Sequence, residues 1–289
     1  MASKARIGDY YQLAKPGIIY GNLLTAAAGF LLACRWHIHL ELLISTLLGI
    51  GLIIGSACVA NNYIDRNIDS KMNRTKKRAL VEGIISPTSA LSYSVLLGTA
   101  GLIILIWQTN TTTVLLGLIG YLDYVLLYGV SKRRFSQGTI IGSISGAIPP
   151  AAGYTAVTGH FNTAAALLFL IQLFWQLPHF YAIAIYRYDD YKSAGLPVLP
   201  VKKNIKLAKR RIMYYILAFT ASSTLLTFFG YTGYIYLAIV TALGFYWLGR
   251  GIKSYDSLSD KLWARKMFLI SLFEICCLSV AISLGSIVP

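Results

Sequence analysis

Charge is scarce in this chain, and negative charge is the scarcest. Charged residues fill 13% of its 289 positions, where soluble domains run near about one quarter. Only 11 residues are acidic, against 26 basic ones. With 56% hydrophobic residues and a mean hydropathy of +0.61, an ordinary water-soluble domain is excluded. Cysteine is also sparse: Cys34, Cys58, Cys276 and Cys277 form no CxxC pair and fall in or beside apolar stretches. That excludes a thiolate metal site and a disulfide framework, and leaves small core residues. No Ser/His/Asp or Cys/His set offers a protein nucleophile, and no long linker or low-complexity segment breaks the chain.

What is present is a series of apolar runs long enough to cross a bilayer. Nine are predicted, at 17–34, 42–62, 88–107, 113–130, 139–157, 163–186, 212–230, 233–249 and 267–288. The first is not a cleaved signal, because it opens on Lys15-Pro16-Gly17 and has no convincing small-residue cleavage site. The formal charge of +15 suggests nucleic acid, but its placement argues against that. Of the 26 Lys and Arg residues, 25 fall in the N-terminal tail, in segments 61–87, 187–211 and 250–266, and at 132–134. Only Arg35 is left for the other side. The positive-inside rule then predicts a cytoplasmic N-terminus and, with nine spans, an outside C-terminus. The expected architecture is all-α: one integral-membrane domain over 1–289, with helices around a cavity open toward the cytoplasmic side.

The most informative stretch is Asn61–Asp69 with its tail Met72–Arg78. Asn61, Asp65 and Asp69 are spaced i, i+4, i+8, so a continuing helix carries them on one face. The plain alternative is a solvated helix end whose acids balance nearby cations. An amide and two acids on one stripe at the membrane surface, followed by Arg74, Lys77 and Arg78, point instead to chemistry. Such oxygen ligands suit Mg²⁺, which is held by a few carboxylates plus substrate phosphates. The cations beyond suit the remaining phosphate charge. Lys71 and Lys76 read as topogenic cations near lipid headgroups.

A second cluster runs from Trp175 to Lys192. On one continuous helix, His179, Tyr186, Arg187 and Asp190 would share a face, with Asp189 turned away. Pro178 predicts a kink, and Gly195–Pro200 a turn-rich, non-helical strap. His179 stays open between a hydrogen-bonded core histidine and a functional one. Trp175, Phe180, Tyr181 and Tyr186 cluster near this second site; most other aromatics read as interfacial or packing residues. Asp123 and Glu274 lie inside spans without cations at helical spacing, and each is expected to make a buried hydrogen bond. The two long gaps, 63–87 and 187–211, both start with acids and end in cations, so they are expected to face each other across one cavity.

These stretches resemble the UbiA superfamily of intramembrane prenyltransferases, which pair an N-D-x-x-D-x-x-x-D motif with a second D-x-x-x-D motif. The resemblance covers nearly the whole chain and is carried by Lys15-Pro16-Gly17, Asn61–Arg78, Gly142–Pro150, Trp175–Pro200 and Trp263–Lys266. Within the superfamily it runs to the branch that farnesylates heme. Asn62 stands where the general motif has its first Asp, and Tyr186, not an acid, stands four residues before Asp190. The second motif therefore lacks the paired acids that would hold a second metal. Asn67 replaces an Asp found in relatives but lies off the stripe.

The resemblance implies transfer of a farnesyl group from farnesyl diphosphate to a vinyl group of heme B, with addition of water, giving heme O and diphosphate. It implies Mg²⁺ on Asp65 and Asp69 with Asn61 assisting, Arg74, Lys77 and Arg78 on the diphosphate, and Asp190 in the catalytic set. His179, Tyr186, Arg187 and Lys192 would serve substrate, with Arg187 suited to a heme propionate. Heme is then a substrate, not a resident redox centre. A bacterial inner membrane and the assembly of heme–copper terminal oxidases follow from the same resemblance. The rival readings are a prenyltransferase acting on another aromatic acceptor, a transporter using Asp123 and Glu274, and a non-catalytic heme-assembly protein.

Overall fold

Polar caps and prolines set where the helices begin. Pro16 and Pro87 occupy first helical turns, where a missing N–H costs nothing. Ser86, Asn110, Asn162 and Asn204 each accept a backbone N–H three residues on, at 3.0, 3.1, 3.2 and 2.7 Å. Caps of this kind are worth about 1 kcal/mol each. Left-handed residues close other ends, Arg35 at φ 46° after the first long helix and Gly159 at φ 78°.

The computed structural model describes residues 5–285 and Ile287. A short α1 (Ile7–Leu13) leads into α2 (Pro16–Cys34), α3 (Leu40–Asp69) and α4 (Pro87–Gln108). Helix α5 (Thr111–Leu122) passes through one π turn (Asp123–Leu127) into α6 (Tyr128–Arg134). Then come α7 (Gly138–Thr158), α8 (Thr163–Tyr186) and two short helices, α9 (Tyr188–Ser193) and α10 (Leu199–Lys202). The chain ends with α11 (Ile205–Phe228), α12 (Tyr234–Lys253) and α13 (Asp260–Gly285). Among the described residues there is no β-strand, as expected.

Seven helices among the described residues are long and apolar enough to cross a membrane. The runs expected at 139–157 and 212–230 are helical too, as α7 and α11, but do not reach that measure. Helix α7 is rich in Gly, Ser and Pro, and α11 opens on Lys206, Lys209, Arg210 and Arg211. The end of the last run, at 288, and the cation Lys4 lie outside the described residues.

Neighbouring helices pack in sequence and α13 returns to α2, which closes a ring. Close approach is made by small residues, as expected where lipid supplies no hydrophobic drive between helices. A Cβ on Gly29 of α2 would lie 2.0 Å from the Pro150 carbonyl oxygen, and one on Gly153 of α7 would lie 1.9 Å from that of Ala26. Outward faces carry exposed Leu96, Trp107, Phe228, Tyr234 and Phe245. In water that would be a large sticky surface; in a bilayer it meets its own kind. The chain is a multi-pass membrane protein.

Candidate functional site

Helix α3 continues unbroken to Asp69, so the predicted stripe is real: Asn61, Asp65 and Asp69 share one buried face. Each carboxylate is matched by cations. Arg78 pairs with Asp69 and also donates to Asn62 Oδ1 at 2.9 Å. Thr75 Oγ1 donates to the Asp69 carbonyl at 2.8 Å, which folds the following loop back over the helix end. Lys132 of α6 pairs with Asp65 and donates to Asn61 Oδ1 at 2.6 Å, while Arg133 Nη2 reaches Asp65 Oδ1 at 3.0 Å. Buried carboxylates need such partners or a metal. Asn62 donates its amide to the Leu13 carbonyl at 2.8 Å, so it ties α1 to α3 while holding Arg78.

In the sequence Lys132 and Arg133 have the pattern of topogenic cations, and they are the main addition to the site. The signal available was weak: they stand next to each other in a Lys-Arg-Arg run, and the partners that would reveal their role lie 71 and 68 positions earlier in the chain. Lys15 also comes close. Burial, with Arg78 and Lys132 on the same side, pulls its ammonium down to about 8, against the opposing influence of Cys58 and Asp69.

The two long loops meet, as expected. Asn73 donates its backbone N–H to Asp190 Oδ1 at 3.2 Å, and Ser193 Oγ donates to the Lys71 carbonyl at 3.2 Å. Burial pushes the Tyr191 phenol up; Arg74 and Arg187 oppose this and Asp190 adds to it. Arg74, Lys77 and Lys192 are exposed, as is Asp189. The Arg187 guanidinium lies over the Tyr186 ring at 4.8 Å, and Lys192 over Tyr188 at 5.9 Å.

One expectation is corrected. His179 and Asp190 do not lie on one continuous helix, because α8 ends at Tyr186 and Arg187, at φ −107° and ψ 30°, turns the chain into α9. The break carries Asp190 to the α3 loop and leaves His179 in the interior. Nδ1 of His179 is 2.7 Å from Ser271 Oγ, and the ring stacks on Trp175 at 4.9 Å. Glu274 is a second correction: among the described residues neither of its buried oxygens has a hydrogen-bond partner. Asp123 meets its expectation with one oxygen, which accepts the Ser145 N–H at 3.0 Å, while the other has no partner among the described residues.

Beneath the carboxylates lies a cavity of about 380 Å³. Lys132, Ser136 and Tyr191 line it near the charged end, Ile53 and Tyr124 its wall, and His179 its interior. Among the described residues no three His, Cys, Asp or Glu side chains form a closed metal cage. Two carboxylates and an amide on one helix face form an open set instead, of the kind that takes Mg²⁺ together with phosphate oxygens. By the chemistry of its donors, the stripe fits that ion. The arrangement as a whole offers anion-binding cations and hard oxygen ligands at the end of an apolar chamber.

The UbiA prenyltransferase family profile matches residues 22–273. The protoheme IX farnesyltransferase of Klebsiella pneumoniae is 49% identical over 282 residues, covering 97% of this chain and 96% of its own length. That of Photorhabdus laumondii is 49% identical over 284 residues, covering 98% and 97%. Among solved structures, one described for digeranylgeranylglyceryl phosphate synthase superposes with a TM-score of 0.79 at 18% identity, covering 97% of this chain and 98% of that one. A UbiA homologue from Archaeoglobus fulgidus bound to GPP and Mg²⁺ gives 0.74 at 17% identity, covering 95% and 99%. These structures share the fold. From its sequence, helices and charged stripe together, the chain belongs to the UbiA prenyltransferase family.

Proposed function

We propose that this chain transfers a farnesyl group from farnesyl diphosphate to a vinyl group of heme B, giving heme O and diphosphate. The C1–O bond to diphosphate breaks, and C1 bonds to the terminal vinyl carbon. Water adds to the carbon next to the ring and a proton is lost. The observation that carries the reaction type is the paired stripe of Asn61, Asp65 and Asp69 above an apolar cavity. The choice of acceptor rests on near-full-length relatives named protoheme IX farnesyltransferase at 49% identity.

Asp65 and Asp69, with Asn61 beside them, would hold Mg²⁺, which when bound neutralises charge on the departing diphosphate. Arg78, Lys132 and Arg133, freed in part from those carboxylates, bind the diphosphate oxygens, and Arg74, Lys77 and Lys15 add positive charge at the same end. Aromatic faces such as Tyr124 and Tyr128 stabilise the allylic cation, and the apolar wall keeps water from it. His179, Tyr186, Arg187 and Lys192 serve the heme side. Asp190 sits with the α3 loop and acts there, joining the diphosphate end.

In this reading the chain works as one integral-membrane domain over 1–289. Nine spans place the N-terminus and the charged end in the cytoplasm and the C-terminus in the periplasm of a bacterial inner membrane. Assembly of heme–copper terminal oxidases would consume the product. Among the described residues, neither Asp123 nor Glu274 lines the cavity, which disfavours a transport path through them. The test is incubation of the purified chain with heme B, farnesyl diphosphate and Mg²⁺, followed by mass analysis. A heme heavier by one farnesyl and one hydroxyl group supports the reading; unchanged heme at saturating substrates overturns it.

A further inference from the structure

His179 is held more firmly than a packing residue needs to be. Its imidazole stacks on Trp175, with centroids 4.9 Å apart and planes at 26°, and meets Phe268 at 5.0 Å on a tilt of 42°. Trp175 is itself fixed by an Nε1–H bond to the Ser271 carbonyl at 2.8 Å. The ring therefore has little freedom to turn.

The hydrogen bonds around Ser271 favour one tautomer as well. Ser271 Oγ donates its single proton to the Phe268 carbonyl at 2.6 Å. At 2.7 Å from Nδ1, the same oxygen can then act only as acceptor, so Nδ1 carries the hydrogen. Nε2 keeps a free lone pair, and it is the nitrogen left for the cavity that His179 lines. The neighbouring amide does not satisfy it. Gln176 Nε2 is already directed at the Ser143 and Gln172 carbonyls, each at 3.2 Å.

A neutral imidazole with Nδ1–H bonded to an oxygen acceptor and Nε2 open has the arrangement by which proteins prepare histidine as a metal ligand. Its depth suits a flat, iron-centred ring. His179 lies seven residues before the end of α8, or about 10 Å along the helix axis from its charged end. We propose that His179 Nε2 is the axial ligand of the heme B iron, with Ser271 as the positioning residue that sets its tautomer. This rests on the acceptor proposed above, and it assigns the bond that holds that acceptor. Iron ligation pins the porphyrin by its centre, so the vinyl edge can be presented toward the diphosphate end while the ring stays in the apolar chamber.

The experiment loads the full-length protein in detergent with ferrous heme B and records the iron–imidazole stretching band by resonance Raman. The wild type should show the band. His179→Ala should lose it, and added imidazole should restore it. Ser271→Ala should keep the band but shift it, because Nδ1–H then lacks its acceptor. Metal-free protoporphyrin should bind the wild type at least tenfold more weakly than heme B, and His179→Ala should narrow that gap. Retained binding of a farnesyl diphosphate analogue shows that each variant is folded; if His179→Ala fails this check, Ser271→Ala and the porphyrin comparison decide. A band that survives His179→Ala, no shift in Ser271→Ala, or equal binding of the two porphyrins overturns the ligation. If the wild type farnesylates heme B while these results hold, the ligation alone is wrong; if it neither binds nor farnesylates heme B, the proposed function falls with it.

Discussion

The backbone N–H of Asn73 donates to Asp190 Oδ1 at 3.2 Å, joining the loop after α3 to the short helix after α8. The bond crosses from one half of the chain to the other and brings the second acid to the first acidic stripe. An Asn at 190 could still accept that N–H but would carry no charge. Asp190→Asn should therefore keep the thermal stability of the wild type and lose about tenfold or more in kcat, the scale of one charged contact. Near-wild-type turnover in this variant would reduce Asp190 to a tie between loops.

Asp69→Asn isolates the metal role in the same way. The amide oxygen can still accept from Arg78, so the fold should persist in membranes. Activity should fall at least about a hundredfold if ionisation depends on the metal that Asp69 helps to hold. Chelation of divalent metal should silence the wild type to the same degree. A variant that turns over at the wild-type rate in the presence of chelator contradicts the assignment.

Lys15 gives a pH signature. Burial holds its ammonium at about 8, so it is charged below that pH and neutral above it. If it contributes charge to the diphosphate end, the KM for farnesyl diphosphate should rise as pH passes from 7 to 9. Lys15→Arg, charged throughout this range, should flatten that limb. An identical pH profile in wild type and variant removes Lys15 from the site.

Topology is tested by labelling single cysteines in a background free of Cys34, Cys58, Cys276 and Cys277. A cysteine at exposed Thr111 should react with an impermeant reagent from outside. One at exposed Ser257, or at Ser136 near the charged end of the cavity, should react only after the membrane is opened. Outside labelling at Ser136 would invert the orientation proposed here.

The stripe of Asn61, Asp65 and Asp69 was legible because helical period alone decides which residues share a face, and nothing in that stretch breaks a helix. The helix boundaries were legible for similar reasons, since Asn, Ser and Pro at the caps act locally. The contacts between distant segments were not. Lys132 looks like any cation after a span until α6 is docked against α3, and Asn62 looks like a weakened motif residue until it is seen bonding Leu13 and Arg78. The break at Arg187 has no Gly or Pro to announce it, so the sequence favoured one long face where the structure has two. The buried, unpartnered carboxylate of Glu274 also runs against pattern, since a buried polar group is expected to find a partner.

In the proposed function the charged end activates farnesyl diphosphate for attack by heme B and not by another ring. The most direct test is a competition in one vessel, with purified protein, Mg²⁺, limiting farnesyl diphosphate and equal amounts of heme B and 4-hydroxybenzoate. Mass analysis of the products should find the farnesyl group on hydroxylated heme, with diphosphate released in equal amount and none formed by Asp69→Asn. Farnesylated hydroxybenzoate as the main product, or diphosphate release without any prenylated acceptor, would contradict the account.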